Sequence, residues 1–155
     1  LYDNSDTEVN CNLTRDYFRQ IGCLSVMELA EKRPQIMLNI GNGQDDVVIS
    51  VFTISGSSVT GRHPEIFGEL GWSLSENTPG WEARNQSSRF SSTWVESRLN
   101  GSSPNTGFIL VEIFFQYDHK LGLPWITAFV PDPILLHTYA IMPNSSAEPT
   151  STPEP

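Results

Sequence analysis

The chain of 155 residues has few cysteines, little charge and no long apolar run. Charged residues make up 17% of the sequence, below the quarter typical of globular proteins, and Ser, Thr, Asn, Gly and Pro fill the difference. This composition is more typical of a β-rich, turn-rich surface than of exposed helices, which carry Lys and Glu. No run approaches the 18 apolar residues of a membrane-spanning helix, so we expect any membrane anchor to lie beyond Pro155.

Sequence motifs of catalysis and cofactor binding are also missing. There is no nucleophile elbow, zinc-protease motif, phosphate-binding loop or EF-hand loop. His63, His119 and His137 are far apart, and surface or core positions are their default interpretation. The adjacent Asp45 and Asp46 lack the alternating spacing of a Ca²⁺ loop and are interpreted as solvated turn charge. We therefore expect a protein that is not an enzyme and that has no cofactor or metal.

One enzymatic alternative stays open, a small secreted hydrolase that uses two dispersed carboxylates. A glycosidase pair needs to meet only in space, so sequence spacing does not exclude it. The candidate carboxylates are Glu65, Glu69, Glu76, Glu82, Glu96, Glu112, Asp118 and Asp132.

Basic residues are half as frequent as acidic ones, with 9 Lys and Arg against 18 Asp and Glu and a net charge of −9. Such a surface repels nucleic acid and anionic lipid headgroups. It attracts a basic protein partner or Ca²⁺, and it also serves simply to keep a secreted protein soluble.

Cys11 and Cys23 are the two cysteines. In an oxidising compartment we expect them to form a disulfide, which closes a loop of about 13 residues and contributes roughly 3 kcal/mol. Two free buried thiols or an intermolecular bridge are the alternatives. The sequence has no Cys-x-x-Cys pair, so it indicates neither a zinc knuckle nor a thioredoxin-type site.

Four Asn-x-Ser/Thr sequons exceed the roughly two expected by chance from this composition. They predict glycosylation at Asn12, Asn85, Asn100 and Asn144, and they favour an extracellular or lumenal location, secreted or membrane-anchored. Chance sequons in a cytosolic or bacterial chain are the alternative. The polar N-terminus has no signal-peptide pattern, so we expect an exported chain to have lost its signal.

The beginning of the chain has a helical pattern. Residues 13–20 predict a short, weak helix, and residues 24–33 predict a second one, which ends before Pro34. Ser25 followed three residues later by Glu28 indicates a capping box at the start of the second helix.

After Pro34 the apolar period changes to two. Residues 36–40 and 47–54 predict a β-hairpin around the turn at Gly41–Asp45. Four later segments predict strands by alternation or by β-branched content: 88–99, 108–117, 124–130 and 134–142. In residues 55–87 we expect short strands and ordered loops around Trp72 and Trp81, because a loop of this length without secondary structure is unusual in a compact domain.

These elements predict a mainly β fold, an antiparallel β-sandwich of about seven to nine strands with one or two short N-terminal helices. Residues 1–143 form one domain in this interpretation. Residues 144–155, rich in Ser, Thr and Pro, are expected to be a disordered stalk or linker.

The function that fits these patterns is non-catalytic recognition of a protein partner, by an extracellular domain of a surface or secreted glycoprotein. The first alternative is a carbohydrate-binding module, in which Trp72 or Trp81 offers a flat apolar platform to a sugar.

Overall fold

The computed structural model describes residues 16–34, 36–100, 106–117 and 133–144. The α-helices are α1 (Tyr17–Lys32) and α2 (Ser92–Glu96), and two 3-10 helices span Ile40–Asn42 and Glu65–Leu70. The strands are β1 (Asp46–Ser55), β2 (Ser58–His63), β3 (Trp72–Ser73), β4 (Thr106–Tyr117) and β5 (Ile134–Asn144).

Within these residues the fold is mainly antiparallel β, with five strands in one sheet. Its strand order is β2-β1-β4-β5, and β3 pairs with β1. The part of the chain that the structure describes therefore holds a single sheet with fewer strands than the seven to nine predicted. The predicted strand at 124–130 lies outside the described residues.

The first hairpin is formed by β1 and β2, not by residues 36–40 and β1 as predicted. β1 pairs antiparallel with β2 with Val51 opposite His63, and the turn contains Gly56 at φ +60°. A glycine suits this turn because left-handed backbone costs it little. Residues 36–40 have the right alternation for a strand, but Asn39 caps the 3-10 helix that follows and accepts a hydrogen bond from Gly41 N at 3.1 Å.

The strands predicted at 108–117 and 134–142 are confirmed with slightly wider bounds as β4 and β5. Both are long alternating segments, which is the pattern that sequence identifies best. Asn144 is the last residue of β5, and residues 145–155 lie outside the described residues.

The N-terminal helical pattern forms one continuous helix within the described residues, not two. Asp16 caps α1, because its carboxylate accepts hydrogen bonds from Phe18 N at 3.0 Å and Arg19 N at 3.4 Å. The predicted capping box is wrong, since Ser25 lies inside the helix and donates to the carbonyl oxygen of Ile21 at 2.8 Å.

The strand predicted at 88–99 is also wrong. Ser91 accepts a hydrogen bond from Trp94 N at 3.1 Å and caps the short helix α2. Local hydroxyl capping competes with strand pairing, and here it outweighs the two-residue alternation of the side chains.

Two compact units divide the described residues. Of the described residues, unit 1 holds 16–34, 36–48, 73–86, 112–117 and 133–138, and unit 2 holds 49–72, 87–100, 106–111 and 139–144. Unit 1 buries Cys23, Leu38, Val47, Val48 and Phe114. Unit 2 has a core cluster of Phe52, Phe90, Val95 and Leu110.

Candidate functional site

Unit 2 contains an open apolar groove with a volume of about 310 Å³. This volume lies at the lower end of the roughly 300–1,000 Å³ of ligand pockets. The residues that line it are Phe90, Trp94, Val95, Arg98, Leu99, Phe108, Leu110, Tyr139 and Ile141. Aromatic and aliphatic side chains with one cation are the composition expected of a recognition site.

Three elements supply the walls of the groove. Side chains two residues apart on a strand share one face, so Phe108 and Leu110 of β4 line the groove together, as do Tyr139 and Ile141 of β5. The remaining wall comes from Phe90 before α2, from α2 itself and from the turn after it. Capping by Ser91 thus positions the residues that the predicted strand would have spread over two faces.

Ring contacts hold the aromatic walls in place. The ring of Phe90 lies 4.5 Å from the Trp94 ring and 4.7 Å from the Tyr139 ring, edge to face in both cases. Phe108 stacks on Phe52 of the core at 4.9 Å between centroids. Such pairs contribute about 0.5–1.5 kcal/mol each beyond burial, so the groove is preformed.

Arg98 is the one charged residue among those that line the groove. Its guanidinium carbon lies 3.7 Å from the Trp94 ring centroid, and Nη1 donates to Ser97 Oγ at 3.4 Å. Among the described residues, no carboxylate oxygen lies within 4.0 Å of an Arg98 guanidinium nitrogen, so Arg98 forms no ion pair with them.

One side of the groove is open to solvent. Tyr139 is 50% exposed and Ile141 is 52% exposed, on the strand that ends the described sheet. Large apolar side chains left in water beside a preformed cavity are typical of an interaction site.

A second cluster, in unit 1, is polar and buried. The Asp46 carboxylate is fully buried and accepts five hydrogen bonds at 2.7–3.0 Å. The five donors are Val47 N, Ser73 Oγ, Ser75 N, Ser75 Oγ and Gln86 N. Because these groups already surround both oxygens, the arrangement stabilises a buried charge.

The neighbouring Asp45 has the same role. Its carboxylate, 1% exposed, accepts from Asn39 N at 2.8 Å and from Gln116 N at 2.7 Å. The interpretation of Asp45 and Asp46 as solvated turn charge is therefore wrong. Donors aimed at these oxygens also disfavour Ca²⁺ there, since a cation needs the lone pairs that they occupy.

A third polar cluster lies in unit 2 around Arg62, whose side chain is 5% exposed. Arg62 Nη1 lies 2.5 Å from Glu69 Oε2, and Ser92 N and Oγ donate to the same carboxylate at 2.9 Å and 2.6 Å. Burial raises the pKa of the Glu69 carboxyl, but the Ser92 hydrogen bonds and the Arg62 charge outweigh it and leave the pKa below its ordinary value.

Among the described residues, one of the dispersed carboxylates pairs with a histidine, Glu112 with His137. His137 Nε2 lies 3.0 Å from Glu112 Oε1, and the Phe114 ring stacks on the His137 ring at 4.6 Å. Glu112 is 1% exposed, so substrate does not reach it in this structure. Within the described residues no three His, Cys, Asp or Glu side chains gather as a metal site, and His119, Asp118 and Asp132 lie outside those residues.

The two predicted recognition tryptophans differ in exposure. Trp72 is 3% exposed, because it belongs to the core, and this removes it as a stacking platform. Trp81 is 52% exposed and stays a candidate.

The other predicted site residues are only partly described. Asn12 and Cys11 lie outside the described residues, whereas Cys23 is buried within α1, so the disulfide stays a prediction. Asn100 is exposed, and Asn144 and Asn85 are half-buried. The Asn85 side-chain nitrogen donates to the carbonyl oxygens of Ile40 at 2.6 Å and Asp45 at 2.8 Å.

No family model, curated protein or solved structure matches the chain. No helix in the described ranges is both long enough and apolar enough to cross a membrane. The groove is therefore the feature of the described residues that indicates a function. Sequence reasoning missed its residues because they come from three separate segments; the signal available was the paired apolar alternation of β4 and β5.

Proposed function

We propose that the chain is a non-catalytic recognition domain of an exported glycoprotein and that it binds a protein partner in the apolar groove. The single observation that carries the proposal is the exposure of Tyr139 and Ile141, about half each, at the open side of a preformed aromatic cavity.

The physical reason is the energy of burial. Burying a large apolar side chain contributes about 1.5–3 kcal/mol, and protein interfaces concentrate their binding energy in such residues at pockets. Ring contacts already fix the side chains that form the groove walls. Binding of a partner therefore costs little free energy for ordering these side chains.

Location and finer architecture belong to the same proposal. The excess of sequons and the pair Cys11 and Cys23 support an extracellular or lumenal place. A second sheet, which would complete the sandwich, rests on the sequence pattern of segments such as 124–130.

The test is a peptide-display selection against the folded protein, followed by binding measurements on Ile141→Glu. The matched control is Ile66→Glu, since Ile66 is 85% exposed in unit 2 and does not line the groove. We expect selected peptides to keep their affinity for Ile66→Glu and to lose at least tenfold with Ile141→Glu. Equal binding to both variants would contradict the proposal.

A carbohydrate-binding module is the second candidate, because the Trp81 indole is 52% exposed. Glycan-array binding that disappears in Trp81→Ala and persists in Ile141→Glu would favour it over protein recognition. The hydrolase alternative stays a prediction: Glu112 is 1% exposed, whereas Asp118 and Asp132 lie outside the described residues.

A further inference from the structure

We infer that the segment recognised by the groove carries a carboxylate next to its apolar anchor, and that Arg98 binds this carboxylate. The inference rests on the proposed function and names the chemistry of the partner. It starts from an arginine that lines an apolar cavity in a chain with twice as many acidic as basic residues.

The Arg98 guanidinium has few partners among the described residues. Lys32, Arg62 and Arg84 each form an ion pair with a glutamate of the chain. Arg98 forms none with the described residues, and its hydrogen-bond acceptor there is Ser97 Oγ at 3.4 Å, a long contact. A guanidinium has five N–H donors, so most of its capacity remains for a ligand.

Stacking on the Trp94 ring orients the Arg98 guanidinium. With the guanidinium carbon 3.7 Å from the ring centroid, the indole holds the planar group while its N–H edge stays open to hydrogen bonding. An arginine held on a ring loses less side-chain entropy when it binds, and its fork of donors matches a carboxylate.

The positive charge of Arg98 lies beside apolar side chains of the groove. The other groove residues offer rings and aliphatic side chains, and Tyr139 and Ile141 lie half exposed. A ligand that fills the cavity with one large apolar side chain and holds a carboxylate beside it satisfies both features. The overall charge of −9 favours a basic partner elsewhere on the surface, whereas the groove selects an acidic segment.

The experiment compares two blocked peptides, acetyl-Leu-Phe-Glu-amide and acetyl-Leu-Phe-Gln-amide, by NMR titration of the ¹⁵N-labelled full chain. The peptides have the same shape and differ in one charge. We expect the Glu peptide to bind about fivefold more tightly at low salt, as for a well-formed exposed ion pair, and the preference to shrink at high salt. The indole N–H signal of Trp94 should shift with both peptides.

Three variants locate the effect. Arg98→Gln should bind the two peptides equally, Arg98→Lys should keep part of the preference, and Arg33→Gln should keep all of it. Arg33 is exposed and is not one of the groove residues, so this control removes the same charge without changing the groove. A thermal melt of each variant checks that it is folded.

The remaining outcomes separate the two claims. Equal affinities of wild type for both peptides, with binding lost in Ile141→Glu, would overturn the carboxylate inference and leave the groove as an apolar recognition site. Absence of binding by either peptide would overturn both. A second pair, acetyl-Leu-Phe with a free carboxylate or an amide, shows whether a chain end or an acidic side chain is preferred.

Discussion

The side-chain amide of Asn85 donates a hydrogen bond of 2.6 Å to the carbonyl oxygen of Ile40, 45 positions earlier in the chain. A second N–H of the same nitrogen reaches the carbonyl oxygen of Asp45 at 2.8 Å. A sugar bound to this nitrogen replaces one of the two N–H groups. The nitrogen to which a sugar would be attached thus already binds Asn85 to the segment between Ile40 and Asp45.

We therefore expect Asn85 to be unglycosylated in folded, secreted protein, in contrast to exposed Asn100. Glycosidase treatment in ¹⁸O water followed by peptide mass spectrometry checks the occupancy of each site. Asn85→Ala should destabilise the protein by about 1–3 kcal/mol, because two carbonyl groups lose their donor. Ser87→Ala removes the same sequon but keeps the amide, so its stability should stay near wild type. Full occupancy of Asn85 would contradict this prediction.

Asp46→Asn should destabilise the protein more than Asn85→Ala does. The substitution turns one carboxylate oxygen into an NH₂ group that faces N–H or O–H donors, and it removes the charge that strengthens all five hydrogen bonds. We expect a loss of about 3–4 kcal/mol in the free energy of unfolding, measured by urea denaturation. Asp16→Asn is the matched control, since Asn caps a helix about as well as Asp and a change below about 0.5 kcal/mol is expected. A loss of similar size in both variants would argue against a special role of Asp46.

Glu69→Gln should weaken the protein in a pH-dependent way. The folded-state pKa of Glu69 lies below its ordinary value of 4.5, so its contribution is complete above that pH and disappears as the pH falls through the folded-state pKa. We expect a loss of about 1–2 kcal/mol at pH 7, kept small by the 58% exposure of the side chain, and a smaller difference below pH 4.5. Glu65→Gln, in the same 3-10 helix, should change little at either pH. A difference between Glu69→Gln and wild type that grows on acidification would contradict the assignment.

Gly41→Ala should move Trp81 with little cost in stability. A Cβ atom at position 41 would lie 2.5 Å from Cη2 and 2.8 Å from Cζ2 of the Trp81 ring, so the half-exposed indole has to shift. We expect a changed tryptophan emission spectrum and a change in unfolding free energy below about 1 kcal/mol. In a Trp81→Phe background the same substitution should leave the spectrum unchanged. An unaltered spectrum in the wild-type background would show that the ring is elsewhere.

The sequence predicted the elements whose apolar pattern is long. β4 and β5 are visible as alternating segments of ten or so residues, and the mainly β class follows from them. The region 88–99 also alternates, yet one hydroxyl at Ser91 turns it into a cap and a short helix. Short-range capping of this kind is decided by hydrogen-bond geometry that side-chain parity does not contain.

The clusters could not be predicted, because they join distant positions. Glu112 and His137 are 25 residues apart, and Asp46 and Gln86 are 40 apart. A signal for Asp46 existed, since it begins the apolar run of β1, where an unpaired charge is costly. Its donors had no pattern of their own. The groove is similar: each of its walls is ordinary in sequence, and its shape comes from bringing them together.

The half-exposed Tyr139 and Ile141 have a consequence for the colloidal behaviour of concentrated solutions. At neutral pH the charge of −9 keeps molecules apart, whereas near the isoelectric point, about 4.6, that repulsion vanishes. Copies of the molecule can then associate through β5, which ends the described sheet, because an exposed apolar edge strand is a template for edge-to-edge pairing. Acidification should therefore turn a monodisperse sample turbid, and Ile141→Glu should delay the onset.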